Sequence, residues 1–315
     1  MYGRPLQLAA LNATDAAGTE VMSDVGSGMV DTGVTTDEDS ALYLAAGYIN
    51  GRGVGLAAAT PGGRNKFDGF YISGGYEHAV SDSGFLGFGF SYADLDGSAP
   101  TGNAETGGTL YQATVYGAGH IGSSLLVDFQ TSGGIYNFSS ARNVSVGASP
   151  FTLTAGDEAL AFSSELGLSL LPAASTGPVE ITPRASLRYS TIGFHQFDEQ
   201  GGGPAMTYDV GTQESLQARA GMTVKGSAGN VRPYISAGYV VELMEQQDTF
   251  ASNFALGSGP SALFAFGGHD GGWAEVAGGI TVGGENISAS LSAETTVFRS
   301  DYKNQTYRAS ITWRF

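Results

Sequence analysis

The stretch that decides the fold is the last one, Tyr307-Arg308-Ala309-Ser310-Ile311-Thr312-Trp313-Arg314-Phe315. Read in steps of two, one row carries Tyr307, Ala309, Ile311, Trp313 and Phe315, and the other Arg308, Ser310, Thr312 and Arg314. A period of two without a slip is that of a β-strand. Two environments accept it. In a soluble sandwich the apolar row faces a core and the arginines face water. In an outer-membrane barrel the apolar row meets lipid, the arginines line a polar lumen, and the aromatic residues sit at the interfaces.

Composition narrows the choice. A chain of 315 residues holds one large β domain or two ordinary ones. It contains 49 Gly, 15 Tyr, 17 Phe and 2 Trp, and only 14 % of its residues are charged, well under the usual quarter of a soluble domain. The polarity comes from Gly, Ser, Thr, Asn and Gln, which suits strands that are apolar on one side and hydrophilic on the other. A net charge of −16 argues against nucleic acid as a partner. The absence of Cys fits passage through an oxidising compartment without disulfides. No run approaches the roughly 20 apolar residues of a transmembrane helix, so any span is a β span. Met1-Tyr2-Gly3-Arg4-Pro5 has neither the basic nor the apolar region of a signal peptide. For an exported protein, the expectation is therefore that this sequence is a fragment.

Residues 1–40 differ from the rest. Arg4 to Ala17 is Leu- and Ala-rich and suits a short helix, but Gly26, Gly28 and Gly33 interrupt any longer one. Asp15, Glu20, Asp24, Asp31, Asp37, Glu38 and Asp39 stand against one arginine, Arg4. This stretch reads as a linker in or near a pore, with a plain surface tail as the alternative. Residues 41–315 read as one barrel.

Twelve alternating segments follow, at about 41–51, 68–79, 84–94, 108–119, 123–135, 158–170, 178–191, 213–225, 231–243, 272–282, 286–298 and 304–315. Each is near the 9–11 residues of a tilted membrane strand or slightly longer. Short connections alternate with longer ones, notably 136–157, 192–212 and 244–271. Long loops on one side and tight turns on the other, with an even strand number, are the signature of a bacterial outer-membrane barrel. The expected fold is therefore all-β, a transmembrane antiparallel β-barrel of 12 strands with an N-terminal segment in or near its lumen. Gly75, Gly87, Gly89, Gly134, Gly167, Gly221 and Gly238 fall mainly on the inward rows, where they either open the lumen or serve strand curvature.

The same alternation turns Arg184, Arg188, Arg219, Arg308 and Arg314 inward, where Glu165, Glu180, Glu242, Glu275 and Glu294 can neutralise them. Placed on the lipid side, each arginine near the midplane would cost about 2–4 kcal/mol.

Several pieces, in this order and spacing, resemble the β-domain, or translocator unit, of the autotransporters of type Va secretion. They are Thr109 to Tyr116, leading through Leu125 to Asp128 and Gly133 to Phe138 to Arg142; Ile181-Thr182-Pro183 through Tyr189 to Phe197-Asp198-Glu199; Glu214 to Gly221; and the C-terminal strand. The resemblance covers about 41–315. It implies a translocator barrel in the Gram-negative outer membrane, with its long loops extracellular, that anchors and helps export an N-terminal passenger. Outer-membrane lipid, the barrel-assembly machinery, periplasmic chaperones and the chain's own passenger, absent here, are the implied partners of a monomer. The terminal row Phe315, Trp313 and Tyr307 is implied as the assembly signal. Three features depart from the pattern: forty residues are too few for a passenger, the Gly-rich stretch 26–34 interrupts the expected pore helix, and there is no Asn-Asn pair of the kind self-cleaving members use inside the barrel. The expectation is therefore a trimmed translocator domain without the cleavage activity.

No catalytic, metal or cofactor site is expected. His78, His120, His195 and His269 are scattered, without Cys and without metal-ligand spacing. Residues 1–40 hold no His to complete a serine triad, and no Ser sits two positions from His78 or His120 on a lipid-facing row. Gly51, Gly53 and Gly55 lead into no helix, so no dinucleotide fingerprint is present. The competing reading is a free-standing outer-membrane channel or adhesin. In it the long loops do the work, and loop 244–271, with Phe250, Phe254, Phe264 and Phe266, binds a ligand or narrows the pore. Packing of those rings over the barrel mouth is the simpler alternative.

Overall fold

The computed structural model describes residues 40–54, 64–81, 83–99, 104–170, 174–176, 178–244, 249–255, 261–265, 270–284, 286–300 and 302–315. The N-terminal segment expected at 1–40 lies outside them, Ser40 excepted. In chain order the strands are β1 (Ser40–Val54), β2 (Arg64–Ser81), β3 (Gly84–Ser98), β4 (Ala104–Ile121), β5 (Leu125–Val146), β6 (Ser149–Leu170), β7 (Ala174–Thr176), β8 (Val179–Gly193), β9 (Phe197–Asp198), β10 (Met206–Asp209), β11 (Thr212–Gly226), β12 (Val231–Glu242), β13 (Thr249–Phe254), β14 (Ala262–Ala265), β15 (Gly272–Gly283), β16 (Ile287–Val297) and β17 (Tyr302–Arg314).

Twelve of these form one antiparallel wall in the order β1-β2-β3-β4-β5-β6-β8-β11-β12-β15-β16-β17. The wall closes because β17 pairs back onto β1, with Leu42 opposite Trp313 and Tyr48 opposite Tyr307. Closure removes every edge, the condition for a sheet to stand in hydrocarbon. Each of the twelve expected segments coincides with a wall strand.

Burial is inverted relative to a soluble protein. Along β1, Tyr43, Ala45 and Ile49 are buried while Leu42, Leu44 and Tyr48 are exposed. Along β6, Ser163, Glu165 and Ser169 are buried while Phe162, Leu166 and Leu168 are exposed. Leu42, Leu44, Tyr48, Phe162, Leu166 and Leu168 therefore point away from the ring, as lipid requires, while a smaller apolar set that includes Ile49 points inward.

The inward glycines are not empty spaces. A Cβ placed on Gly47 would fall on the ring of Tyr71, one on Gly87 on Tyr116, one on Gly108 on Tyr136, and one on Gly89 on the Tyr43 hydroxyl. The rings of Tyr71, Tyr116 and Tyr136 thus each lie over a glycine of a neighbouring strand, and Tyr43 lies over Gly75 of β2 and reaches Gly89 of β3. The aromatic side chain occupies space that the missing side chain frees.

One connection differs from expectation. The stretch 136–157, which the sequence presents as a long loop, is a continuation of β5 and β6, which remain paired from Leu125–Leu170 out to Val146–Ser149 and turn at Gly147, φ 62°. Beyond the lipid the outward row no longer has to be apolar, so Ser139, Asn143, Thr152 and Thr154 hide a continuing strand. Loops 192–212 and 244–271 carry strands of their own, a separate four-stranded sheet ordered β14-β13-β10-β9.

Candidate functional site

Side chains on the buried rows of β5 through β15 form two charged networks. Arg188 and Glu165 stand opposite each other in register, and Glu165 Oε2 accepts from Arg188 Nε at 2.7 Å and lies 2.5 Å from Nη2. Arg184 Nη1 donates to Glu165 Oε1 at 3.1 Å, and its Nη2 to Asp128 Oδ1 at 2.6 Å. Arg184 belongs to β8 and Asp128 to β5, so the contact passes over β6. Gly167 makes this possible, since a Cβ there would collide with both charged groups.

The second network runs from β11 to β15. Arg219 Nη1 donates to Glu275 Oε2 at 2.9 Å and Nη2 to Gln217 Oε1 at 2.9 Å. Gln217 Nε2 donates to Ser215 Oγ at 3.0 Å, which donates to Glu242 Oε2 at 2.6 Å. On the far side Trp273 Nε1 donates to Glu275 Oε1 at 3.0 Å, and the Arg299 guanidinium stacks 3.7 Å from the Trp273 ring. The bonds to the charged groups are charge-assisted and largely shielded from water.

Among the residues expected on the inward rows, three pairs meet: Arg184–Glu165, Arg188–Glu165 and Arg219–Glu275. Glu242 does something else, accepting from Ser215 Oγ and from the backbone N–H of Leu216 and Met244 where β12 ends. Glu180 lies opposite Lys225 in register. Arg308 is buried between Gly47 and Ser292, Glu294 faces Thr306, and Arg314 Nη1 donates to Ser288 Oγ at 3.4 Å. Sequence reasoning does not find Asp128, Gln217 or Trp273. Asp128 stands in plain view on an alternating strand, but its partner is 56 positions away. At the C-terminus Tyr307, Trp313 and Phe315 are on the exposed row, the last two with ring centroids 5.2 Å apart.

At the loop end of the barrel the separate sheet presents one apolar face. Phe197, Tyr208 and Ser252 share it through pairing, as do Met206 and Phe254, while Phe264 stands opposite Phe250 in register. Phe197 packs edge-on to Phe138 of β5 at 4.9 Å, and Tyr208 lies 6.1 Å from Phe250. Phe197, Tyr208, Val210 and Phe250 form one continuous cluster with the inward residues Ile49, Tyr71, Leu95, Leu110, Tyr136 and Ile192. Of the loop phenylalanines, Phe250 packs over the mouth and Phe254 is exposed; Phe266 lies outside the described residues.

An arginine–carboxylate pair joins the segment after β9 to the wall. Arg142 Nε and Nη2 each donate to a different oxygen of Glu199 at 2.6 Å. Glu199, its side chain 1 % exposed, also accepts from Met206 N at 3.0 Å and Tyr208 Oη at 3.3 Å. Burial first, and then the neighbouring Glu199 carboxylate, push the Tyr208 phenol above its ordinary pKa, so it stays a donor. Both Arg142 and Glu199 belong to the stretches that carry the family resemblance, but nothing in the sequence says that they touch.

Hydrolytic chemistry finds little support. Pairing of β1 with β2 does bring a serine to His78, with Ser40 Oγ 3.0 Å from Nδ1 and 2.8 Å from Tyr76 Oη. The His78 ring stacks on Tyr76, and no carboxylate is seen to orient it among the described residues. No cluster with metal-ligand geometry occurs among the described residues.

Comparison with known proteins gives the same architecture. No curated protein sequence matches the chain significantly. Among solved structures, the translocator domain of the autotransporter NalP from Neisseria meningitidis superposes with a TM-score of 0.68 at 13 % identity, over 96 % of this chain and 98 % of that one. The β-domain of the Bordetella autotransporter BrkA gives 0.59 at 14 % identity, over 89 % and 100 %. The transport unit of AIDA-I from Escherichia coli gives 0.56 at 15 % identity, over 93 % and 97 %. At such identities the likeness concerns the fold. Residues 44–294 match the family described as the autotransporter beta-domain. The chain therefore belongs to the autotransporter β-domain family, and it is a translocator barrel of the Gram-negative outer membrane that serves export of a passenger.

Proposed function

We propose that part of residues 1–40 occupies the lumen and joins the barrel to an N-terminal passenger on the cell surface. The observation that carries this reading is the seam. Ser40 opens β1 beside the C-terminus, with Ser40 N donating to Phe315 O at 3.2 Å and Phe315 N to Ser40 O at 2.9 Å. Both ends of the wall thus lie on the short-turn side, the periplasmic one in this class of barrel. A passenger outside the cell reaches Ser40 only through the ring. The arginines of the inward rows and the acidic residues of 1–40 suit one another, each exposed pair contributing at most about 1 kcal/mol.

On the same reading Arg184, Arg188, Arg219, Arg308 and Arg314, with Glu165, Glu180, Glu242, Glu275 and Glu294, line the path of the exported chain. Tyr307, Trp313 and Phe315 are the signal read by the barrel-assembly machinery after delivery by periplasmic chaperones. The barrel works as a monomer and carries no catalytic step. Removing residues 1–39 should raise single-channel conductance in planar bilayers while heat-modifiable electrophoretic mobility is kept. Unchanged conductance, with a tag at Met1 found only in the periplasm, would return the chain to the free-standing channel.

A further inference from the structure

We propose that Arg142 and Glu199 are positioning residues for export: they latch the loop sheet as a gate over the outer mouth of the lumen. The inference rests on the translocator reading and adds to it the part that closes the exit.

Three observations carry it. The four strands β9, β10, β13 and β14 make no ladder with the wall and form a sheet of their own. Its apolar face fills the outer lumen, in one cluster with inward residues of β1 through β8. Among the described residues the sheet is tied to the β5–β6 hairpin by Arg142 and by one backbone bridge, and His195, two residues before β9, binds Asp157 and Glu158 of β6. Thr154 N donates to Gln200 O at 3.0 Å and Gln200 N to Thr154 O at 2.8 Å, and Arg142 grips Glu199 immediately after β9, where the sheet begins.

A unit of short strands with few ties to the main sheet opens more readily than the wall. An exported chain has to displace it, or hold it displaced, to leave the barrel. The latch sets how readily that happens. Arg142 also donates from Nη2 to Pro204 O at 3.2 Å, so it holds both ends of the segment that precedes β10. Removing the guanidinium releases that segment, and neutralising Glu199 weakens the acceptor that Tyr208 and Met206 N share.

The test uses the full chain in the outer membrane. Because the sequence has no Cys, Ser252→Cys gives one reporter under the gate, at a position 2 % exposed whose Oγ donates to Thr207 O. A membrane-impermeant maleimide is added from outside. Arg142→Met and Glu199→Gln should each raise the labelling rate about tenfold or more, as expected for a lowered opening cost, with heat-modifiable mobility retained. The double variant Arg142→Met/Glu199→Met leaves no buried charge behind and should label as fast as the single ones. Equal rates in parent and variants, or a double variant as protected as the parent, would overturn the latch. The two readings fail separately. Faster labelling, with no conductance change on removing residues 1–39 from the Arg142→Met variant whose gate is released, sinks the pore segment and leaves the gate; a conductance rise on that removal with labelling at the parent's rate sinks the gate alone.

Discussion

The lumen wall has two unlike regions. On β1 to β5 the inward rows are largely uncharged, and Tyr43, Tyr71, Tyr116 and Tyr136 lie over glycines of adjacent strands. From β5 to β15 the rows are charged, with Asp128, Glu165, Arg184 and Arg188 bound together and Arg219 bound to Glu275. Glycine occurs in both, with different work. Gly87 makes room for a ring and Gly167 for an ion pair that spans a strand. One region resists change through shape, the other through charge that must stay compensated.

The sharpest way to break the comparison is to unbalance the charged region. Glu165→Met removes the carboxylate shared by Arg184 and Arg188, and Arg188 is only 4 % exposed. Breaking a buried pair from one side costs about 3–5 kcal/mol, whereas replacing both partners is often near neutral. Urea unfolding in detergent should therefore show a large loss for Glu165→Met and partial recovery for Glu165→Met/Arg188→Met. A loss under about 1 kcal/mol, as for solvent-exposed pairs, would mean that water already screens this network.

The aromatic region should respond less. Gly87→Ala forces the Tyr116 ring aside, and overpacking of this kind costs about 1–3 kcal/mol. The same change made in a Tyr116→Ala background should cost little, because the ring is gone. Additive costs in that double-mutant cycle would show that Gly87 serves strand curvature and not the ring.

Much of this is legible in the sequence because membrane strands alternate strictly. The twelve segments follow from that period and the turns between them, and so does the row of Arg184, Arg188, Arg219, Arg308 and Arg314. Which arginine meets which acid does not follow. Cross-strand partners depend on register and stagger, so Arg184 finds Asp128 two strands away over Gly167, and Arg219 finds Glu275 over β12. The outer half of the β5–β6 hairpin reads as a loop because its outward row is polar, while the apolar side chains that remain, Tyr136, Phe138 and Leu153, point inward. The loop sheet escapes for another reason. Strands of two to six residues are too short to show a period, and the 57 positions between Arg142 and Glu199 hide their contact.

The most direct test of the account asks whether the chain before Ser40 runs inside the ring. Single cysteines placed between residues 10 and 30 would be combined with either Ser132→Cys, on a buried inward row of β5, or Val115→Cys, on the exposed row of β4, and bridged with a short bismaleimide in intact outer membranes. The account predicts intramolecular cross-links to position 132 from several of the N-terminal sites and none to position 115. Cross-links to neither position, together with free labelling of residues 10–30 from the periplasmic side alone, would contradict it.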